Sequence, residues 1–467
     1  MDVISFEFKL MTFNIEYGGT NVDFSKVVEV IQKTDPHTVA IEEAFGHIPR
    51  LADELGWKYY DTRLQIVSQL PLLDPPDGEG IYTFVQIAPG KIVAVSNVHL
   101  PNDPEGSFAV LKGATAEQIV ELEKKARLPY IQPHLDVLPR LASNGMPVFL
   151  AGDFNAPSHL DWTEDMVGVR KQIKYAMEWT VSKAVMDAGF RDSFREAHPD
   201  PKTEPGLTWW ANRPQVNGWN PNPDDPQDRI DFIYAAGSSV TLESIVIGEE
   251  TVSPFPSDHR AVMSTFAVTP ADMPAMVTTD KRLVEAGELI HVWVNGSGQG
   301  GERCELIRRG ELTPTLSQSV RGRISELSFS TKGIPSGAYE LVLLDERSSV
   351  LSHYRLWVKE AGEGVKLSLD RQAYAKGEPI IVNLENAPGN RWDWLGIYQF
   401  GQDPFAEKPL RYLHTNAAIQ GRFIFESDGL EAGKYGMLFC IDDNYVCLAR
   451  EHFELFNKTK LSSNVSP

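Results

Sequence analysis

"LAGDFNAPSHLDW", Leu150–Trp162, carries an apolar run straight into Gly152-Asp153-Phe154-Asn155 and then into Pro157, Ser158 and His159. Alternate residues of a β-strand share a face, so a strand ending here sends Asp153 and Asn155 the same way. An acid beside an amide at the end of a buried strand is a candidate site. On both sides of it, short apolar strands alternate with helical stretches. "FKLMTFNIEY" (8–17), "KIVAVSNVHL" (91–100), "PVFLAGDFN" (147–155), "RIDFIYA" (229–235) and "AVMSTFAV" (261–268) read as strands. "DFSKVVEVIQKT" (23–34) and the run from Thr115 to Ser143 space their apolar residues nearer the helical period. This alternation predicts a layered α/β or α+β domain over residues 1–270, with sheets inside and helices outside.

A chain of 467 residues with 42% hydrophobic residues is long for a single core, and two or three domains are expected. Its apolar runs are strand-sized, so no transmembrane helix is predicted. The start, "MDVISFEFKLMTFNIEYGG", has no basic n-region or apolar h-region, and no signal peptide is predicted in the chain as given. The compartment is left open, cytoplasmic or secreted after removal of a leader. Three cysteines are too few for a disulfide scaffold. Cys440 and Cys447 can face each other across a hairpin turned at Asp443-Asn444, and two packed thiols are the favoured reading over a bond. The net charge of −20 disfavours tight nucleic-acid binding, which leans on Lys and Arg. It does not exclude a nuclease, because bound divalent ions can make a cleft locally positive.

"VTPADMPAM" (268–276) has two prolines and no clear period, and the linker is placed there. Beyond it a repeat emerges. "DKRLVEAGELIHVWV" from Asp280 and "DRQAYAKGEPIIVNL" from Asp370 share an Asp-basic start and a Gly-Glu pair, both offset by 90 residues. Further on, Gly337-x-Tyr339 aligns with Gly433-x-Tyr435 and Trp357 with Phe453, at offsets of 96. Regular strands and turns over two copies predict tandem all-β, immunoglobulin-like sandwiches at 277–360 and 365–458.

Five polar clusters of the first domain fall at or just past strand ends: Asn14, Glu43, His99, Asp153 with Asn155, and Asp231 followed by Asp258-His259. Singly, each has an ordinary structural reading as a turn, cap or strand-end residue. Together they suit hydrolysis of a phosphate ester. A hard divalent cation such as Mg²⁺ takes oxygen ligands, and one or two carboxylates with an amide hold it. In-line displacement then needs an oriented water, a proton acceptor and donors for the phosphoryl oxygens. In this reading Glu43 is a ligand and Asp153 a water-orienting base. Asn155, His99 and His259 are donors, and Asp231 holds the His259 ring.

The ordered set "GDFN" (152–155), "RIDFIY" (229–234) and "SDH" (257–259), with Asn14 and Glu43 upstream, resembles the endonuclease/exonuclease/phosphatase superfamily of metal-dependent phosphoesterases over residues 7–267. The resemblance implies a four-layer α/β sandwich with two packed β-sheets. It implies that Glu43 binds Mg²⁺ or Mn²⁺, one or two ions, with Asn14 and Asp258 completing the site directly or through water. It implies that Asp153 and Asn155 orient water and phosphate, that His259 contacts the scissile phosphate with Asp231 as its carboxylate partner, and that His99 is a second phosphate donor. Whether Asp153 or His259 takes the proton is left open. The chain departs from the pattern at "SQLPL" (68–72), where many members carry Ser-Arg-x-Pro. It also has His99 where DNA-repair members usually have tyrosine. This points toward DNase-like, sphingomyelinase-like and inositol-phosphatase-like enzymes, although the Trp-Thr-Asp-Arg element of the last is absent.

Two segments are peculiar to this chain. "APSHLDWTEDM" (156–166) is long enough to fold over the cleft, with His159 as a weak candidate for a phosphate contact. "GLTWWANRPQVNGWNPNPDDPQ" (206–227) offers Trp209, Trp210 and Trp219 either as loop packing or as an aromatic wall that selects the leaving group. In the repeats, "DWLGIYQFG" (393–401) distantly resembles one strand of SKICH-type immunoglobulin-like domains. Trp392 and Trp394, if exposed, would permit contact with a glycan, a lipid headgroup or a protein partner; a core role is the other reading. The expected activity is cleavage of a small or lipid-derived phosphodiester, with a DNase-like nuclease, a phosphomonoesterase and a non-catalytic binding protein as alternatives in that order.

Overall fold

The computed structural model describes residues 5–457; the outer limits of the first and third expected domains, residues 1–4 and 458, lie outside them. The chain divides into two compact units, the first ending at Thr278 apart from a short excursion at 295–297.

The first unit is built on two sheets. One has the order β11-β12-β1-β2-β4-β3, from β1 (Phe6–Asn14), β2 (Thr38–Glu42), β3 (Tyr59–Asp61), β4 (Ile66–Ser68), β11 (Ser239–Ile247) and β12 (Ala261–Val268). The other runs β5-β6-β7-β8-β10-β9, from β5 (Leu72–Leu73), β6 (Thr83–Ala88), β7 (Lys91–His99), β8 (Val148–Asp153), β9 (Arg191–Asp192) and β10 (Asp231–Ala236). The proline-containing stretch read as linker is not free chain, since Ala271–Asp272 pairs with β7 and Asp272 binds Lys91 Nζ at 2.7 Å.

Strand alternation sets what each face packs against. On β1, Met11 and Phe13 point to a core shared with α1 (Phe24–Thr34) and α2 (Ile48–Leu55), while Phe8 and Leu10 enter the layer between the sheets. Phe149 and Ala151 of β8, Val93 and Val95 of β7, and Ile233 and Ala235 of β10 fill the same inter-sheet layer. The second sheet is backed by helix: His134 of the helix Leu128–Ser143 meets Ser96 of β7 at 2.9 Å. This is the expected four-layer α/β sandwich. Following each inward face to one end, apolar residues give way to polar ones: Phe8, Leu10, Thr12, Asn14; Ala40, Glu42; Val93, Val95, Asn97, His99; Phe149, Ala151, Asp153; Ala235, Ile233, Asp231. The site is the polar end of the core.

The second unit is all-β and carries the repeat. In each copy a five-stranded sheet contains a parallel pair, Leu283–Glu285 with Val350–Lys359 and Ala373–Ala375 with Cys447–Phe456. The matched residues make matched bonds. Tyr339 Oη donates to Pro335 O and Tyr435 Oη to Glu431 O, both at 2.7 Å, four residues upstream in each case. Gly287 N donates to Thr331 Oγ1 and Gly377 N to Ser427 Oγ. These pairings account for the Gly-Glu and Gly-x-Tyr signatures and establish two β-sandwich copies. One expectation is corrected and one alternative decided. Cys440 and Cys447, opposite each other on paired strands, form a disulfide rather than two packed thiols. Of the two readings of Trp392 and Trp394, the core role holds: both are buried, Trp394 among Tyr398, Leu438 and Cys440.

Candidate active site

Register places three of the predicted residues in a row. His99 at the end of β7 is opposite Asp153 of β8, and Asp153 is opposite Asp231 of β10. Such close strand pairing needs Gly152, whose φ is +138° and whose hypothetical Cβ would sit 1.9 Å from Val98 O. Asn155 faces Asp153 for a different reason than strand alternation. It lies past the strand at φ +48°, and its backbone N–H turns back to Asp153 Oδ1 at 2.8 Å. Its Nδ2 donates to Leu100 O at 2.9 Å and to Asp153 Oδ2 at 3.2 Å.

Asn14 joins the two sheets, its Nδ2 donating to Asp153 Oδ2 at 3.1 Å and to Glu43 Oε1 at 3.3 Å. Glu43 Oε2 accepts from Tyr17 N at 2.9 Å. His259 Nδ1 lies 3.1 and 3.2 Å from the two oxygens of Asp231. His259 Nε2 and His99 Nε2 each stand 3.7 Å from Asp153 Oδ2. Ser257 Oγ fixes the approach, donating to Asn14 O at 2.7 Å and accepting from His259 N at 3.0 Å. Asn14, Glu43, His99, Asp153, Asn155, Asp231, Asp258 and His259 thus come together from four strands and three loops.

The electrostatics follow from putting these groups in one buried place. Burial, then the Asp231 charge, pushes the Asp153 carboxyl above its ordinary range. Burial by itself would lower the His259 imidazole, but Asp231 and then Asp153 outweigh it and hold the ring well above its usual pKa, as imidazolium. Asp258 is raised to about 7 by burial, with His259 opposing and Glu16 and Glu43 adding to the rise. Asp153, Asp231 and His259 bring ligand atoms within 4.8 Å of one another, a group able to hold an ion. Backbone strain is concentrated here as well. Glu16, Tyr17, Glu43, Phe45 and Asn155 are all non-glycine residues at positive φ, between 47° and 56°.

Several residues of the site carried no role in the sequence reading. Glu42, the first acid of "EE", is fully buried, accepts from Thr12 Oγ1 at 2.9 Å, and leaves Oε2 without a hydrogen-bond partner. Burial, then Asp231, raises its pKa well above the ordinary value. Glu16 accepts from Asp258 N at 3.1 Å and pairs with Arg213 through two contacts of 2.5 Å. Thr208 Oγ1 accepts from Asp231 N at 3.1 Å. Glu42, Glu16 and Ser257 lie inside motifs that were already conspicuous, and Thr208 and Arg213 inside the 206–227 segment, which was singled out for its tryptophans.

The connection after "GDFN" is anchored into the body. Asp161 accepts from both Arg195 (2.6 Å) and Arg229 (3.0 Å), and Trp162 is 1% exposed against Trp179. The described contacts of His159 are with Ser182 Oγ at 2.9 Å, and burial, then Lys183, lowers its pKa. Trp209 meets the site through its main chain, bridged to His259 and to Asp228. Trp219 stacks on Trp209, and Trp210 buries its Nε1 without a hydrogen-bond partner.

A model of the Endonuclease/Exonuclease/phosphatase family matches residues 11–259, more than half of the chain, and the chain belongs to this family. It is 29% identical over 287 residues to Uncharacterized protein F14F9.5 of Caenorhabditis elegans, a match covering 55% of this chain and 90% of that protein. Among solved structures it is similar to the endonuclease/exonuclease/phosphatase from Beutenbergia cavernae DSM 12333, with a TM-score of 0.37 and 17% identity over 75% of this chain and 99% of the other. It is also similar to TDP2 from Caenorhabditis elegans, with a TM-score of 0.36 and 17% identity over 56% of this chain and 75% of the other.

Proposed function

We propose that this chain hydrolyses a phosphodiester, small or lipid-derived, with a bound divalent cation, Mg²⁺ or Mn²⁺. The observation that carries the reading is Asp153, hydrogen-bonded by two asparagines and flanked at 3.7 Å by two histidines, one of them locked to Asp231. The donor set fits a cation. Glu42, Glu43, Asp153, Asp231 and Asp258 crowd one end of the core, and burial and mutual repulsion push Glu42, Asp153 and Asp258 upward in pKa. A divalent ion relieves that repulsion. Glu43, Asn14 and Asp258 would hold it, beside the Asp153–Asp231–His259 group, and it would supply Lewis-acid stabilisation of phosphoryl charge.

The protein's own groups divide the remaining work. Asp153, with its raised basicity, orients a water and accepts its proton. Asn14 and Asn155 fix the direction of its lone pairs. His259 presents Nε2 to a phosphoryl oxygen as a charged donor, because Asp231 occupies Nδ1 and sets the ring plane. His99 offers a second donor from the other side of Asp153. Asn155 commits Nδ2 to Leu100 O and Asp153, so it acts mainly by holding the carboxylate.

The test is a substrate panel with and without EDTA: bis-aryl phosphodiester, aryl phosphomonoester, glycerophosphodiester, sphingomyelin and plasmid DNA. Expected is cation-dependent cleavage of small or lipid diesters, abolished in Asp153→Ala. Strong DNA cleavage without small-diester turnover would replace the reading with a DNase-like one, and turnover confined to the monoester would replace it with a phosphatase.

A further inference from the structure

We propose that the Trp219–Trp209 stack is the seat of an uncharged, ring-bearing ester group of the substrate, and that the Glu16–Arg213 pair positions this seat beside His259. The inference rests on the phosphodiesterase reading and narrows its substrate class. Trp219 and Trp209 are stacked, with centroids 5.5 Å apart and planes 19° apart, and Phe108 meets the Trp209 ring edge-on at 6.1 Å. Trp219 nevertheless remains 45% exposed. A large apolar ring held open to solvent beside a buried charged site offers a ligand flat contact area.

The loop that carries Trp219 is built to keep it there. Arg213 uses every arm of its guanidinium: Nε and Nη2 on Glu16, Nη2 on Trp219 O (3.1 Å), and Nη1 on Pro214 O and Asn220 Oδ1 (both 3.0 Å). Asn220 closes the turn, accepting from Val216 N and donating to Val216 O, both at 2.9 Å. Glu16 in turn accepts from Asp258 N, next to His259, and the Trp209 main chain bridges His259 directly. Ring stack, ion pair and catalytic histidine are therefore one connected assembly. Ordering the loop in advance removes an entropy cost from binding.

The charges indicate what the ring group belongs to. Arg213 is committed to Glu16, Arg229 to Asp161 and Asp192, and Arg260 to Glu249. These three are paired within the chain, and Arg170 and Lys171 meet the loop only at the Gln227, Pro223 and Asp224 carbonyls, at its far end from Trp219 in sequence, so the ligand argued for has a single phosphodiester with a neutral planar substituent.

The test uses two non-cleavable phosphinate probes, methyl(1-naphthylmethyl)phosphinate and dimethylphosphinate, in which carbon replaces both ester oxygens and a single negative charge is kept, titrated calorimetrically into the full chain with Mn²⁺. The wild type is expected to bind the naphthyl probe about tenfold tighter than the methyl probe, from stacking and apolar contact. Trp219→Ala should bring the ratio toward one, and Trp219→Phe should restore most of it. Arg213→Met should lower the ratio as Trp219→Ala does, a selective loss that general destabilisation would not produce. If Arg213→Met does not fold, the exposed Trp219 variants still decide. A wild-type ratio near one, or a ratio that survives Trp219→Ala, overturns the inference. Ring-selective binding without any diester turnover would overturn the catalytic reading instead, and the two failures are told apart because calorimetry needs no turnover.

Discussion

Asp258 sets up a linkage between pH, cation and stability that can be worked through. Its carboxyl is raised from 3.8 to about 7, chiefly by burial, with Glu16 and Glu43 pushing further and His259 opposing. An acid whose folded pKa lies above its unfolded one binds its proton more tightly when folded, so the cation-free fold is favoured at low pH. That advantage declines as pH rises from about 4 to about 7 and is gone above it. A shift of about three units corresponds to about 4 kcal/mol between the ends of the window. In the proposed site a divalent cation held by Glu43 and Asp258 would compete with this proton. At pH 8 the carboxyl is mostly ionised, and an ion at about 100 times its dissociation constant stabilises by about 2.7 kcal/mol. At pH 5.5 only a few per cent of sites are ionised, apparent affinity falls by more than about tenfold, and the same concentration gives about 1 kcal/mol. For a unit of this size, 1 kcal/mol moves Tm by about 2–4 °C.

The assay is thermal unfolding of the full chain with Mg²⁺ or EDTA at both pH values. The increase in Tm should be about three times larger at pH 8 than at pH 5.5, and Asp258→Asn should flatten the difference. An equal increase at both pH values in the wild type, or an undiminished difference in Asp258→Asn, would refute the competition between proton and ion at this carboxyl.

Other expectations follow from single contacts. Asp231→Asn removes the anion that sets the His259 ring, and turnover should fall by about 10²–10⁴ while Mg²⁺ affinity, measured by titration, changes only a few-fold. Gly152→Ala sets a Cβ 1.9 Å from Val98 O at a φ of +138°, and chemical denaturation should show a loss above about 3 kcal/mol. Asp161→Ala leaves Arg229 and Arg195 buried with their shared carboxylate gone, at about 3–5 kcal/mol by the same measurement. Tyr339→Phe and Tyr435→Phe each delete one equivalent hydrogen bond, and each should cost about 1 kcal/mol.

How much could be read from the chain depends on how local the cause was. Sheets, helices and the two β-copies rest on apolar periodicity within short windows, and these emerged as expected. The site emerged because a strand whose inward residues run Phe149, Ala151, Asp153 declares a polar end to an apolar face, and His99, Asp231 and Asn14 do the same on neighbouring strands. Sequence order was enough to collect them. What escaped was decided by tertiary closure. Arg213 reaches Glu16 across 197 residues, and Arg229 reaches Asp161 across 68, distances at which one charge among many gives no signal. Trp394 was readable either as core or as a ligand contact, and the strand Trp394–Gln399, buried on both faces over its first five residues, decides for the core. Cys440 and Cys447 required the register of the hairpin, not only its turn.

The same distinction bears on function. Of the residues proposed for the reaction, Asn14, His99, Asp153 and Asp231 lie at strand ends and are placed by sheet register. Those that would distinguish one substrate from another, Trp209 and Trp219, hang on the 206–227 loop, whose shape depends on a buried ion pair with β1's exit at Glu16. In the proposed reading the Trp219 side chain can change while the Trp209 main-chain bridge to His259 and the Glu16–Asp258 contact are kept, so selectivity and chemistry would rest on different side chains. Variants of Trp219 should move substrate preference, whereas variants of Asp231 should depress turnover across every accepted diester.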